Sequence, residues 1–338
     1  QFFDGPDLDG VEVGDVDGDG SQFIIGELDP RGVQIGMGLA AHELGHQLGW
    51  PDLYDTDWDC DNGFVRTQGL GRWDLMATGD WLGDLSGDTD SLLAASPAHP
   101  SAWCKAFRGW VLPTEVTEDV AGVQIQHAAS HAVSYRLWTH GQYGDNNREY
   151  FLVENRQQTG YDSALPGCGL LVYHIDEAVM DLDHDGDGDS NWDDNHLQWD
   201  FDRELIDVEC ADGFTRNDNG SACAQACGQC PKDDLDAQVS SGDTGTDCGF
   251  GLTYDNRGDS GNPFPGVTNN TVFDSLSCPA STDRLGHDTE VGIRNISGCG
   301  NDMTADFEVG SQGGDLVDVW LKDCDADAGA EPSGCGVF

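Results

Sequence analysis

The residues best suited to chemistry lie in one short run, His42-Glu43-Leu44-Gly45-His46-Gln47-Leu48-Gly49-Trp50-Pro51-Asp52. On a helix, positions four apart share one face, so His42 and His46 can present two imidazoles to a single metal ion. Glu43 is rotated about 100° from His42 around such a helix, where its carboxylate reaches a water on the metal rather than the metal itself. Zinc in this setting lowers the pKa of water toward about 7, and a carboxylate base takes the proton as the water attacks a polarised carbonyl. A third protein ligand is still needed. Gly49 can adopt the positive φ that ends the helix and turns the chain back, and Asp52, three residues on, is then placed to supply an oxygen. Asp55 and Asp57 are the other candidates for that ligand, or for calcium.

The elements that must position these groups are legible in outline. Val33, Met37, Ala40, Leu44 and Leu48 recur at three- and four-residue steps, which predicts a helix over 32–48 with that stripe inward. Gly49 and Pro51 stop it. Gly45 between the two histidines costs up to about 1 kcal/mol relative to Ala in mid-helix, so close backbone approach is expected there. A second short helix is predicted over 100–107. Beyond it, 123–126, 133–138, 150–153, 170–173, 291–296, 304–309 and 316–321 read as strands, rich in β-branched and aromatic residues. The expected fold class is α+β: a zinc-protease core of metzincin type with a short active-site helix, followed by a β-rich region held by disulfides and calcium. The expected division is 1–118 as the catalytic region, 119–310 as the β-rich continuation, and 311–338 as the start of a further module or tail. A thermolysin-like site would need a Glu on a second helix, yet no Glu occurs between Glu43 and Glu115. The metzincin pattern places His where Asp52 stands, so an aspartate variant of it fits best.

Composition narrows the partners. The chain of 338 residues carries 15 Lys+Arg against 63 Asp+Glu, a formal charge of −48, which disfavours nucleic acid and anionic lipid surfaces. No run approaches the about 20 apolar residues of a membrane span. With 38% hydrophobic residues and 10 Trp, a true core is expected, Trp73, Trp81 and Trp110 within it. Of the acidic residues 50 are Asp, which favours turns and caps over helices. Twelve cysteines, an even number, predict disulfides and an extracellular or cell-surface location; their connectivity cannot be read from spacing.

The run HELGHQLGWPDLYD over 42–55 resembles the immune inhibitor A (M6) family of secreted bacterial metalloproteases. The resemblance continues through 73–81 (WDLMATGDW), 100–110, Glu149–Arg156 and 165–176, and more weakly to about Val309. It implies a zinc endopeptidase with structural calcium, acting on protein or peptide substrates. Residue by residue, it implies His42, His46 and Asp52 as zinc ligands, Glu43 as general base and Met76 as the floor of the metal site. It also implies a sheet of several strands before the active-site helix, but only about 32 residues precede it here. That sheet is therefore expected to be abbreviated or missing, with a separate N-terminal fragment of the same precursor as a partner. The alternative function is a catalytically incomplete protease fold serving as a calcium-dependent binding or structural protein outside the cell.

Secondary sites follow from local patterns. Asp15, Asp17 and Asp19 with Gly20 have the alternating oxygens and glycine turn of a calcium loop, although Glu27 falls one position late for an EF-hand. Asp181, Asp183, Asp185, Asp187 and Asp189 are denser still, and carboxylates so crowded repel unless a cation bridges them. His174 ends a predicted strand as a structural histidine or an oxyanion donor, and Tyr54 and Tyr161 are further candidates for that donor. The negative field is expected to favour cationic substrates.

Overall fold

A computed structural model describes residues 11–13, 23–25, 37–56, 68–83, 94–138, 148–183, 185–198, 203–212 and 257–310. The proposed ligands Asp15, Asp17, Asp19 and Asp57, the strand expected over 316–321 and the 311–338 tail lie outside them.

Among the described residues the fold mixes few helices with open sheets. The centre is a five-stranded sheet in the order β3-β5-β6-β7-β8, formed by Thr114–Glu115, Tyr135–Leu137, Glu149–Arg156, Gly169–Asp176 and Ile206–Val208. β6 and β7 pair antiparallel over eight positions, from Glu149 opposite Asp176 to Arg156 opposite Gly169. Alternation assigns their faces. Tyr150 and Leu152, with Leu171, Tyr173 and Ile175, enter a core shared with Trp50, Leu53, Trp73, Met76 and Trp103. Phe151 and Val153, with Leu170 and Val172, enter a second core shared with Phe273, Ile293, Met303 and Phe307. The middles of these two strands, 150–153 and 170–173, read as continuous apolar runs because both of their faces are covered.

The second core is closed by a three-stranded sheet, β4-β10-β9, from Val120–Gln126, Asp302–Glu308 and Gly292–Arg294. The Cys168–Cys299 disulfide ties the start of β7 to the turn before β10. Not every cysteine is bridged: Cys104 and Cys210 are buried thiols, Cys104 within α2 and Cys210 accepting a hydrogen bond from Asn262 Nδ2 at 2.9 Å. Before the helices, β1 (Val11–Val13) and β2 (Phe23–Ile25) form an antiparallel pair.

On the other face of the central sheet lie α1 (Met37–Gln47) and α2 (Ala102–Phe107). The expected apolar stripe of α1 is not the buried one: Met37 and Leu44 are 53% and 48% exposed, whereas Gly38, His42 and Gly45 are buried. Backbone proximity decides this. A Cβ at Gly45 would overlap Met76 Sδ and lie 3.0 Å from Trp50, and one at Gly38 would overlap the Asp80 carbonyl. The helix therefore buries a glycine-and-histidine stripe that only small residues permit. Two tryptophans expected in the core, Trp81 and Trp110, are about half exposed, while Trp73 is fully buried.

Candidate metal centre

The end of α1 builds the site. Gly49 has φ +83°; its N–H donates to the His46 carbonyl, and the Trp50 N–H donates to the Gly45 carbonyl. This is a Schellman closure, in which the glycine takes the left-handed conformation. The chain then runs back past its own helix. Trp50 Nε1 donates to the Cys104 carbonyl of α2 at 2.8 Å, and the Leu53 N–H donates to the Met76 carbonyl at 2.7 Å. These bonds bring Asp52 beside the two histidines.

The geometry converges on one point. Asp52 Oδ1 is 3.0 Å from His42 Nε2 and 3.4 Å from His46 Nε2. The second nitrogen of each ring faces a backbone carbonyl: His42 Nδ1 is 2.8 Å from Leu75 O, and His46 Nδ1 is 2.9 Å from Trp50 O. A carbonyl only accepts, so both Nδ1 atoms carry hydrogen, and each Nε2 facing Asp52 is the position that a proton or a metal cation would take up. Metal-bound histidines are held in this way, with the outer nitrogen donating to a fixed acceptor. Two imidazole nitrogens and one carboxylate oxygen suit zinc, and three protein ligands leave a coordination position open. The donor set therefore fits the metal.

Electrostatics at the trio reflects the same crowding. Burial alone would lower the His42 pKa, but the hydrogen bond and charge of Asp52 override it and raise the value to about 9. His46 is raised for the same reason. Burial would raise Asp52, yet the two imidazoles hold it well below the usual carboxylate range. Protons and a metal cation compete for the same two Nε2 lone pairs, so metal binding releases protons.

Glu43 is half-buried, and its charge is felt by both Asp80 and Tyr54. Tyr54 lies beside Asp52, and its ring is 6.5 Å from that of His42. Burial and the nearby carboxylates raise its pKa. Met76 is fully buried against Gly45, and its turn is pinned by Asp74, whose carboxylate accepts from the Met76 N–H at 2.5 Å and from the Ser101 N–H at the start of α2. Asp55 is buried nearby but outside the converging trio.

Two neighbours of the site escape sequence reasoning. Asp80 is buried beside His42, and burial, with further push from Asp52 and Glu43, raises its carboxyl to about 7 despite His42. Asn195 binds Asp52 at two points, from 143 residues downstream. Neither position shows a local pattern that could have found it.

The remaining sequence candidates lie elsewhere. His174 points to the second core, across the central sheet from the trio. It sits 2.9 Å from Glu149 Oε1 and 3.5 Å from Glu209 Oε1, with its ring 4.6 Å from that of Phe151. Burial would lower its pKa, but the two carboxylates raise it to about 9. Tyr161 is half exposed and packs against His99 at 6.3 Å. In the acidic run, Asp183, Asp185 and Asp187 bring oxygens together; Asp187 and Asp189 also meet Asp194, and Asp185 meets Asp194 and His196. Asp181 instead forms an ion pair with Arg148.

Comparison with known proteins agrees with this geometry. Residues 12–111 match the family described as immune inhibitor A peptidase M6, catalytic domain. Over this segment the chain is similar to the M6 peptidase family. Immune inhibitor A of Bacillus thuringiensis subsp. alesti is 35% identical over 81 residues, 24% of this chain and 11% of that protein. The pre-pro-metalloprotease PrtV of Vibrio cholerae serotype O1 is 30% identical over 86 residues, 25% of this chain and 8% of that protein. The alignments thus span about a tenth of the length of these relatives. The matched segment contains the whole trio, Glu43, Met76 and Asp80. No helix among the described residues is long and apolar enough to cross a membrane.

Proposed function

We propose that the chain is a zinc-dependent endopeptidase of the M6 type. The observation that supports this most is the convergence of His42 Nε2, His46 Nε2 and Asp52 Oδ1 within a segment that matches a peptidase catalytic domain. Zinc held by these three residues would supply Lewis-acid polarisation of a peptide carbonyl and bring the pKa of water toward about 7. Glu43, adjacent to His42 on the helix, takes the proton from the attacking water and returns it to the leaving amine. Met76 and Gly45 set the floor beneath the ligands. The disulfide supports an extracellular location.

Calcium on Asp183, Asp185, Asp187 and Asp189, with Asp194 and His196 alongside, is the second part of the proposal. One chelation series tests both metals. 1,10-Phenanthroline is expected to abolish hydrolysis of a protein substrate, and added zinc to restore it; activity that survives zinc removal would sink the reading. EGTA in the presence of zinc is expected to lower the thermal midpoint, and an unchanged midpoint would remove the calcium.

The charge of −48 supports a preference for cationic peptides. Basic peptides should be cleaved faster than acidic ones of matched core sequence at low ionic strength, and the gap should close with salt. Equal rates at low salt would dismiss the preference.

A further inference from the structure

Each metal-binding histidine has a fixed partner on its far side, Leu75 O for His42 and Trp50 O for His46. Asp52 lies in the loop after the Gly49 closure, and beyond the two imidazoles its carboxylate is met by the Asn195 amide. We infer that Asn195 is the positioning residue for this third ligand. The inference rests on the metal centre proposed above.

The contacts are reciprocal. Asn195 Nδ2 donates to Asp52 Oδ2 at 2.6 Å, and the Asp52 backbone N–H donates to Asn195 Oδ1 at 3.0 Å. The second bond settles the orientation of the amide: an N–H must face the oxygen end, so the NH₂ end faces the carboxylate. With Oδ2 engaged, Oδ1 is the oxygen turned to the two Nε2 atoms. A third bond, from Thr56 Oγ1 to the Asn195 carbonyl at 2.9 Å, fastens the same residue to the loop that carries Asp52.

The choice of residue type is explained by these demands. Asn195 has φ +60°, a left-handed conformation that Asn tolerates far better than most residues. A neutral amide orients the carboxylate without neutralising it, so the negative charge stays available to a cation; Lys or Arg would compete with the metal for it. Asp in place of Asn would fit the space but set an acceptor against Asp52 Oδ2.

Partners of this kind are worth about 10–100-fold in metal affinity. The test uses zinc affinity by competition with a chromogenic chelator, on the wild type, Asn195→Gly, Asn195→Asp and Asp52→Asn. Asn195→Gly keeps the left-handed backbone and deletes the amide; Asn195→Asp keeps the shape and deletes the donor. Both are expected to bind zinc at least about 10-fold more weakly than wild type, with far-ultraviolet circular dichroism unchanged at the assay temperature. Wild-type affinity in Asn195→Gly would overturn the inference, including the case where only Asn195→Asp is weakened, since added charge rather than the lost amide would then be responsible. Zinc binding by wild type no tighter than by Asp52→Asn would instead overturn the metal centre itself.

Discussion

Replacing Glu43 by Gln is expected to cut hydrolysis by about 10²–10⁴-fold while zinc content stays at the wild-type level. The two side chains have the same shape, so α1 and the ligand set should be undisturbed. What changes is basicity: an amide cannot take a proton from water. Glu43 is half-buried, with its charge felt at both Asp80 and Tyr54, so its carboxylate lies by the trio without being one of the three converging donors. If the Gln variant turned over substrate within about threefold of wild type, general-base catalysis by this residue would be lost from the account. Loss of zinc together with activity would mean that Glu43 is a ligand instead. The binding-protein alternative separates here too, because its role would survive the substitution.

The largest stability effect is expected at Arg156. Its guanidinium is fully buried, and all five of its N–H groups are used. Nε and Nη2 form a fork on Asp162 at 2.9 and 2.7 Å, Nη1 reaches Glu154 at 3.1 Å and Trp73 O at 2.9 Å, and Nη2 reaches His99 O at 3.2 Å. Glu154 also receives Lys105 Nζ of α2 at 2.5 Å and the Tyr173 hydroxyl at 2.8 Å. Two cations and two carboxylates thus balance in a buried site that joins β6 to α2 and to the segment leading into Met76. Burial would raise both carboxylates, but the cations, Lys105 and Arg156 at Glu154 and Arg156 at Asp162, hold them below their usual range. Arg156→Met leaves Asp162 without its countercharge and Glu154 with only one, a loss of about 3–5 kcal/mol. For a chain of this size that is roughly 4–7 °C in thermal midpoint. Adding Asp162→Asn and Glu154→Gln should recover part of it, because the stranded charges are then gone. A midpoint within about 2 °C of wild type in Arg156→Met would show that the network is solvated and carries little stability.

How much of this was open to sequence reading follows from the range of the interactions. His42, His46 and Asp52 could be paired because helical periodicity and a glycine stop act within a dozen residues. The middles of β6 and β7 were legible because 150–153 and 170–173 are covered on both faces and apolar throughout. The buried face of α1 was misread, since periodicity pointed to Met37 and Leu44 while the packing was decided by where Asp80 and Met76 approach the backbone at Gly38 and Gly45. Trp81 and Trp110 failed as core residues for a related reason: bulk and hydrophobicity alone do not say which side of a turn faces inward. Asn195 and Asp80 were invisible because their roles exist only after the chain has folded around them. His174 had the right residue type, but strand alternation placed it across the sheet from the trio.

The most direct test of the central claim is anomalous diffraction at the zinc edge from crystals of the chain grown with zinc. The account predicts a strong peak about 2.0–2.2 Å from His42 Nε2, His46 Nε2 and Asp52 Oδ1. A peak confined to the Asp183–Asp189 loop, with none between those three atoms, would contradict it.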